Sequence, residues 1–508
     1  MQNPSSGRAD RTARSIVLGL LCSFPAVVCL RIADACVADA DLGWHLRTAE
    51  WILAHRAFPH TDPFSRIAAL PWQAYSWLFE LILLKLWQWM NLDGFVVFTA
   101  TLLILIAAAF YRLISRLQSD FTVSALLLIT AMICMSRGFT PRPWLFSILF
   151  FVLEVDILMQ ARRTGSQREL LWLPPMFALW ANLHIQFVDG LLVLGLAACE
   201  PLLIRWWKSG AGKPPARALW LTLAGCIAAP CINPYGPEIY KIAWTLGSQS
   251  GVLNTIVEMR AIPFRNLPDY VVLFLALAAA GVLFRYRQLS AFETLLLAMA
   301  AIISFRSQRD VWFIATIATA ILAAGIPGRD HRPAESASAR GLMLSAATAG
   351  LAVFLVALLL RVNNTRLQTN LAREMPVKAV EVVRERHYPG PVFNDYSWGG
   401  FLIWNLRQPV SIDPRAALYG DARIQRSDNT WDGGPNWASN PLLTSAGIVI
   451  GPVRDPLTQL LRTDPQFQLV WEDKVAAVFV SRGNPAGPAG SVARLDDPAA
   501  APGPVSQP

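Results

Sequence analysis

The residues best suited to chemistry lie in a short acidic stretch that follows the first apolar run. Asp39, Asp41 and His45 stand there within the sequence Asp-Ala-Asp-Leu-Gly-Trp-His-Leu-Arg. A carboxylate just outside a membrane can act as a general base on an acceptor hydroxyl, or it can hold a divalent cation such as Mg or Mn against a phosphate. The structural alternative is that Asp39 or Asp41 caps an amphipathic helix over residues 43–56, since Asp is favoured at that position.

A second group of polar residues interrupts the later apolar runs. Ionisable groups at membrane depth are costly and are therefore functional candidates, and the planar guanidinium of Arg binds phosphate well. Beside His45, the candidates for substrate binding are Arg137, Arg142, His184, Arg306 and Arg309. The alternatives are an interhelical hydrogen bond for His184 and snorkelling to the membrane interface for Arg306 and Arg309.

The composition places these residues in a membrane protein. Of 508 residues, 54% are hydrophobic and only 16% are charged, whereas soluble globular chains carry about 25% charged residues. A soluble enzyme and a disordered protein are both excluded. The net charge of +9 is typical of basic cytoplasmic loops, so we expect no nucleic-acid partner.

The apolar runs predict about eleven transmembrane helices, at roughly 15–32, 94–115, 121–136, 143–160, 171–184, 187–206, 218–232, 269–285, 291–305, 310–327 and 341–361, several of them short for a full span. A further run, 76–91, contains charged residues and indicates an amphipathic helix on the outer surface. Eleven spans place the basic loop clusters on the N-terminal, cytoplasmic side: Arg112/Arg116, Arg162/Arg163/Arg168, Arg205/Lys208/Lys213/Arg217, Arg285/Arg287 and Arg329/Arg332/Arg340.

This topology divides the chain into four parts. They are a cytoplasmic basic arm (1–14), a transmembrane domain (15–361) with a first external loop (33–93), an external domain (362–481) and a disordered tail (482–508) rich in Pro, Gly and Ala. Within 362–481, short β-rich runs at 391–393, 409–412, 447–450 and 475–480 alternate with helical patterns at 374–387 and 454–463. The pattern predicts a small α/β domain.

The external domain carries its own candidate residues in loops that follow the predicted strands. Ligands often bind at such loops in α/β sheets, although Asp, Asn and Gly are also ordinary turn formers. The candidates are Asp395, Trp398, Asp413, Arg415 and Asp421.

Taken together, these motifs resemble a large bacterial family of multi-span membrane proteins, mostly without an assigned reaction. The resemblance rests on Asp39-x-Asp41-x-x-Trp44-His45-Leu46, Asp62-Pro63-Phe64-Ser65, Arg142-Pro143-x-Leu145-Phe146-Ser147, Trp180-x-Asn182-x-His184, Asn233-Pro234-Tyr235-Gly236 and the whole of 391–480. Gly43 stands where relatives often have an aromatic residue. More distantly, the layout resembles the GT-C class of integral-membrane glycosyltransferases, with an acidic first external loop, amphipathic juxtamembrane helices and an external C-terminal domain.

The GT-C resemblance implies a polyprenyl-phosphate-linked sugar donor and makes Asp39 the first candidate for a catalytic or metal-holding carboxylate, with Asp41 second. The chain lacks the Lys-Pro-Pro-Leu motif of aminoarabinose transferases and the Trp-Trp-Asp-Tyr-Gly motif of oligosaccharyltransferases, so neither branch is a direct analogue.

The resulting hypothesis is a glycosyltransferase in the bacterial cytoplasmic membrane. It would work on the external face, with a periplasmic C-terminal domain and a glycan, lipid or protein acceptor. Two alternatives remain open. One is a lipid or polysaccharide transporter or flippase, and the other is a catalytically inactive scaffold, because fold does not imply function.

Overall fold

The computed structural model describes residues 4–67, 69–207, 216–248, 256–286, 291–327 and 338–483. Lys208, Lys213, Arg287, Arg329, Arg332 and the tail beyond 483 lie outside the described residues. The chain divides into two compact units. We call residues 1–39 and 75–369 the helical unit, and 40–74 and 370 onward the sheet unit. Most of the predicted first external loop thus belongs with the C-terminal residues, whereas the sequence placed it in the transmembrane domain.

The helical unit contains a helix at each predicted span. Its helices of ten residues or more are Pro4–Arg31, Trp77–Met90, Asp93–Leu117, Phe121–Cys134, Trp144–Thr164, Leu173–Leu183, Phe187–Trp207, Ala216–Ala228, Glu238–Gly247, Leu267–Tyr286, Ala291–Arg306, Val311–Gly325, Ala339–Leu359 and Asn364–Glu374, the last of which crosses the division between the units. A short helix, Ala33–Val37, precedes Asp39.

Five of the described helical segments are long and apolar enough to cross a bilayer on their own: Arg11–Arg31, Asp93–Leu117, Trp144–Thr164, Leu267–Arg285 and Ala339–Leu359. The other predicted spans coincide with shorter or less uniformly apolar helices. The chain is therefore a helical membrane protein, and the number of spans and their orientation remain predictions. The Trp77–Met90 helix matches the predicted amphipathic segment 76–91 in position.

Close helix contacts and ion pairs to a buried carboxylate hold the helical unit together. At Gly19 the first helix meets the Ala339–Leu359 helix so closely that a Cβ atom would lie 2.4 Å from the Ser345 carbonyl oxygen, the small-residue packing typical of membrane helices. Asp156 lies 2.9 Å from both Arg112 and Arg116. These pairs neutralise a charge that would be costly at membrane depth.

The sheet unit is built on a mixed four-stranded sheet. Its strands are β1 (Val392–Asn394), β2 (Ile448–Pro452), β3 (Phe467–Glu472) and β4 (Ala476–Ser481), in the order β1-β2-β4-β3. The β1–β2 pair is parallel and the other two pairs are antiparallel. The helices of this unit are Leu42–His55, Val377–Glu385, Gly399–Leu406, Ala416–Tyr419, Asp421–Trp431, Pro441–Thr444 and Pro456–Leu461.

A compact apolar core joins three of these helices, Asp421–Trp431, Pro441–Thr444 and Pro456–Leu461, to the sheet. Trp431 stacks on Phe393 of β1 with ring centroids 5.6 Å apart. A Cβ atom at Gly451 in β2 would lie 2.0 Å from the Trp431 ring. The glycine therefore makes room for the indole over the centre of the sheet.

The run 409–412, predicted to be a strand, is not one. Side chains take the hydrogen bonds that a neighbouring strand would use: Ser411 Oγ accepts from the Asn394 backbone N–H, and Asn394 Oδ1 accepts from the Ser411 N–H. The remaining pairing is a single bridge between Val410 and Ser65. The segment 61–66 thereby attaches to the C-terminal residues of the unit, and strand β3, which the sequence analysis missed, completes the sheet.

The helix predicted over 43–56 is present as Leu42–His55. It packs against the Gly399–Leu406 helix at a point where both helices carry glycine. A Cβ atom at Gly43 would lie 2.0 Å from the Gly400 carbonyl oxygen. A side chain at position 43 would require the two helices to move apart.

Candidate functional site

Asp39 and Arg142 form the centre of the candidate site in the helical unit. Asp39 follows the Ala33–Val37 helix, and Arg142 precedes Pro143, the residue before the Trp144–Thr164 helix. Arg142 Nε donates a 2.7 Å hydrogen bond to Asp39 Oδ2, and the two side chains are 17% and 6% exposed. Burial raises the pKa of the Asp39 carboxyl, while the guanidinium of Arg142 acts in the opposite direction and favours the carboxylate.

A second guanidinium lies beside this pair. The guanidinium carbons of Arg142 and Arg309 are 5.3 Å and 5.9 Å from the centroid of the Trp144 ring. Arg309 is also 3.7 Å from Asp310, whose Oδ1 accepts a 3.1 Å hydrogen bond from Gln186. Two cations on one indole, both partly exposed, can bind an anionic group such as a phosphate.

Hydrogen bonds fix the orientation of the His184 ring. The indole N–H of Trp180 donates to Ser147 Oγ, and Ser147 Oγ lies 2.7 Å from His184 Nδ1. The three side chains therefore form a buried hydrogen-bonded chain that holds the imidazole in place, and Arg309 lies within electrostatic range of the ring.

The remaining candidates of the helical unit have different surroundings. Arg137 is 2.7 Å from Asp269 and donates to Gln308, so its guanidinium is used to join neighbouring segments. Arg306 is exposed at the end of the Ala291–Arg306 helix. Of the cationic candidates, the structure thus brings Arg142 and Arg309 together and leaves Arg137 and Arg306 in other roles.

Asp41 and His45 belong to the sheet unit. Asp41 precedes the Leu42–His55 helix without a side-chain capping bond, so the alternative in which its side chain caps this helix does not hold. His45 is buried, with its ring centroid 3.6 Å from that of Trp44.

The described residues contain no group of three or more His, Cys, Asp and Glu side chains arranged to hold a metal ion. At Asp39 the donor set fits a divalent cation poorly, because one carboxylate oxygen already accepts from a guanidinium and a second guanidinium lies nearby.

In the sheet unit, Asp413 and Arg415 form a buried structural clamp. Arg415 lies 2.8 Å from Asp413 and 2.6 Å from Asp62, and Tyr419 donates a hydrogen bond of 2.5 Å to Asp413. The Arg415 guanidinium also lies 4.7 Å from the centroid of Trp72. With 4% of its side chain exposed, Arg415 joins the segment around Asp62 to the C-terminal residues and is not accessible to a ligand.

The other predicted residues of this unit also have local structural contacts. Asp395 accepts from the Ser397 backbone N–H and begins a short turn. Trp398 donates to the Glu374 carbonyl and is buried. Asp421 lies in the first turn of the Asp421–Trp431 helix, where its charge favours the helix dipole. These contacts correspond to the turn-forming alternative.

Sequence reasoning missed two residues of the central cluster. Trp144 is the unspecified position in the motif Arg142-Pro143-x-Leu145, where its apolar ring gave no sign of a role at the site. Gln186 lies in the break between two predicted spans, and this polar position between apolar runs was the available indication.

Comparisons with known proteins agree with this architecture. No family model and no curated protein matches the chain. The archaeal oligosaccharyltransferase AglB from Archaeoglobus fulgidus, in complex with an inhibitory peptide and a dolichol-phosphate, gives a TM-score of 0.56 at 11% identity over 88% of this chain and 70% of that chain. An oligosaccharyltransferase structure from the same organism, tethered to an acceptor peptide, gives 0.52 at 12% identity over 86% and 69%. In fold, the chain resembles the GT-C class of membrane glycosyltransferases.

Proposed function

We propose that the chain is a membrane glycosyltransferase that moves a sugar from a polyprenyl-phosphate-linked donor to an acceptor hydroxyl on the external face of the cytoplasmic membrane. The observation that carries the proposal is the buried Asp39–Arg142 pair with Arg309 at the same Trp144 ring. It combines a candidate base with two phosphate-binding cations. The similarity in fold to an oligosaccharyltransferase solved with a dolichol-phosphate supports the choice of donor.

In the proposed reaction, Arg142 and Arg309 bind the phosphate of the donor. The acceptor oxygen attacks the anomeric carbon, the bond from that carbon to the phosphate oxygen breaks, and the electron pair leaves with the polyprenyl phosphate. The two guanidiniums stabilise the charge that develops on this leaving group. Asp39 takes the proton of the acceptor hydroxyl, and the sugar inverts its configuration.

In the absence of a donor, Asp39 is hydrogen-bonded to Arg142. Burial raises the pKa of the Asp39 carboxyl, and the Arg142 guanidinium acts in the opposite direction. When the phosphate of the donor binds Arg142, it competes for the guanidinium that Asp39 now accepts from. We infer that donor binding weakens the Asp39–Arg142 hydrogen bond and so raises the basicity of Asp39 when the acceptor arrives.

The test is Asp39→Asn, an isosteric change that removes the base. Loss of general-base catalysis typically costs about 10²–10⁴-fold in rate, so transfer should become barely measurable with the folded protein intact. Asp34→Asn is the matched control, because Asp34 lies in the same segment and its carboxylate is 3.2 Å from Arg366.

Purified protein in lipid nanodiscs would be incubated with polyprenyl-phosphate sugars, and release of polyprenyl phosphate would be followed by chromatography. Transfer at the wild-type rate in Asp39→Asn would remove the role assigned to Asp39. No turnover of any donor by the wild-type protein would favour the scaffold alternative.

A further inference from the structure

A polar cleft in the sheet unit lies apart from the residues discussed so far. It has a volume of about 550 Å³ and runs between the outer face of the Asp421–Trp431 helix and the segment 435–441. This volume is within the range of about 300–1,000 Å³ found for small-molecule sites. The sequence analysis assigned nothing to these residues.

The helix supplies one wall of the cleft with three exposed polar side chains. Gln425, Arg426 and Asn429 line it, and their spacing of three and four residues places them on one face of the helix. Within the part of the chain that the structure describes, these three side chains make no hydrogen bond to protein groups. Their donors and acceptors face solvent and are available to a ligand.

The opposite wall is held in place by buried contacts. Asn440 donates a 2.9 Å hydrogen bond to Thr430 Oγ1 and accepts from the Leu442 backbone N–H. Trp437 is half-buried, packs against the apolar core of the unit and also lines the cleft. The Trp437 indole is therefore held by its contact with the apolar core, and it lines the cleft beside the hydrogen-bonded Asn440.

This set of groups matches the chemistry of a sugar. A saccharide hydroxyl donates and accepts hydrogen bonds, as do the amides of Gln425 and Asn429, and the C–H face of a pyranose ring packs on an apolar aromatic surface such as the Trp437 ring. No acidic residue lines the cleft, and Arg426 is its single cation. One guanidinium is too few for a phosphate backbone, whose binding requires several basic contacts.

We propose that this cleft binds an oligosaccharide, neutral or weakly anionic, through stacking on Trp437 and hydrogen bonds to Gln425 and Asn429. The claim goes beyond the proposed transferase reaction and is measured without any donor. Failure of one proposal is therefore distinguishable from failure of the other.

The experiment uses the full chain in lipid nanodiscs, prepared without glycoside detergents. Saturation-transfer NMR would measure binding of three soluble probes: chitotriose, maltotriose and sialyllactose, which carries one carboxylate. We expect at least one probe to bind, and Asn429→Ala and Trp437→Ala each to weaken its binding by about tenfold or more, equal to about 1.4 kcal/mol.

Two features keep the test decisive. Asn429 is exposed, so its variant leaves the core intact even if Trp437→Ala disturbs folding. Trp471→Ala, which removes a half-buried indole on β3 outside the cleft, should bind the probe as the wild type does. Absence of binding by all three probes, binding unaffected by Asn429→Ala, or tighter binding of a single-stranded oligonucleotide would each overturn the proposal.

Discussion

Replacing Arg142 with Gln tests the proposed site most directly, because one change removes both the partner of Asp39 and one of the two cations proposed to bind the donor phosphate. The Arg142–Asp39 hydrogen bond is 2.7 Å long and largely buried. Hydrogen bonds to charged groups contribute about 1.5–3 kcal/mol net, which corresponds to a coupling of about 10- to 150-fold between the two residues. Loss of a cation that stabilises the leaving group adds a cost of about 10²–10³-fold in kcat.

The pH dependence gives a second readout with a defined sign. Asp39 must be deprotonated to act as a base, so transfer should rise with pH through the pKa of Asp39. Burial already raises that pKa, and Arg142 is the group that lowers it. In Arg142→Gln the pKa therefore rises further, and the acidic limb of the rate profile moves to higher pH.

The assay is the pH profile of polyprenyl-phosphate release by wild type, Arg142→Gln, Asp39→Asn and the double variant. Arg142→Gln should slow the Asp39→Asn variant by less than it slows the wild type, because the effects of substitutions at residues in contact are not additive. Arg306→Gln is the control, since Arg306 is exposed and should leave the profile unchanged. An acidic limb that does not move in Arg142→Gln, or strictly additive losses, would refute the coupling of the two side chains.

Two further predictions concern the sheet unit. Arg415→Met leaves buried carboxylates without their cation and should destabilise the unit by about 3–5 kcal/mol, seen as faster limited proteolysis, whereas Arg407→Met, at an exposed ion pair, should be close to wild type. Gly43→Ala places a methyl group 2.0 Å from a carbonyl oxygen and should lower the free energy of unfolding by about 1–3 kcal/mol through overpacking. Gly350→Ala is the control, because Gly350 has open space around it and its variant should keep the thermal stability of the wild type. Equal thermal stability of the two glycine variants would contradict the close helix contact.

The helical part of the fold follows from local pattern. Long apolar runs at 94–115 and 341–361 predicted helices that the structure has as Asp93–Leu117 and Ala339–Leu359. A run of apolar residues needs no distant partner to specify a membrane helix, because the backbone must satisfy its hydrogen bonds within the segment.

The sheet unit was harder to predict because its organisation depends on distant contacts. The pattern of 409–412 is that of a strand, yet the Asn394 and Ser411 side chains take the ladder hydrogen bonds. The membership of 40–74 in this unit is set by contacts such as Asp62 with Arg415, 353 residues apart in sequence. Local periodicity contains no information on such pairs.

In the candidate site, too, local sequence pattern identified candidate residues but not their contacts with distant residues. The cost of an ionisable group near a membrane drew attention to Arg142 and Arg309, but it did so equally for Arg137, which pairs with Asp269. Only the three-dimensional arrangement distinguishes a guanidinium used in packing from one that lies beside Asp39.

The clamp around Arg415 has a consequence for the synthesis and folding of the protein. Asp62 leaves the ribosome long before Arg415 is synthesised, so residues 40–74 must wait, without their eventual partners, while nearly all of the membrane helices are inserted. The sheet unit therefore acquires its Asp62–Arg415 ion pair only after residue 415 has been synthesised. A chain that ends before residue 415 lacks the guanidinium that packs over the Trp72 ring.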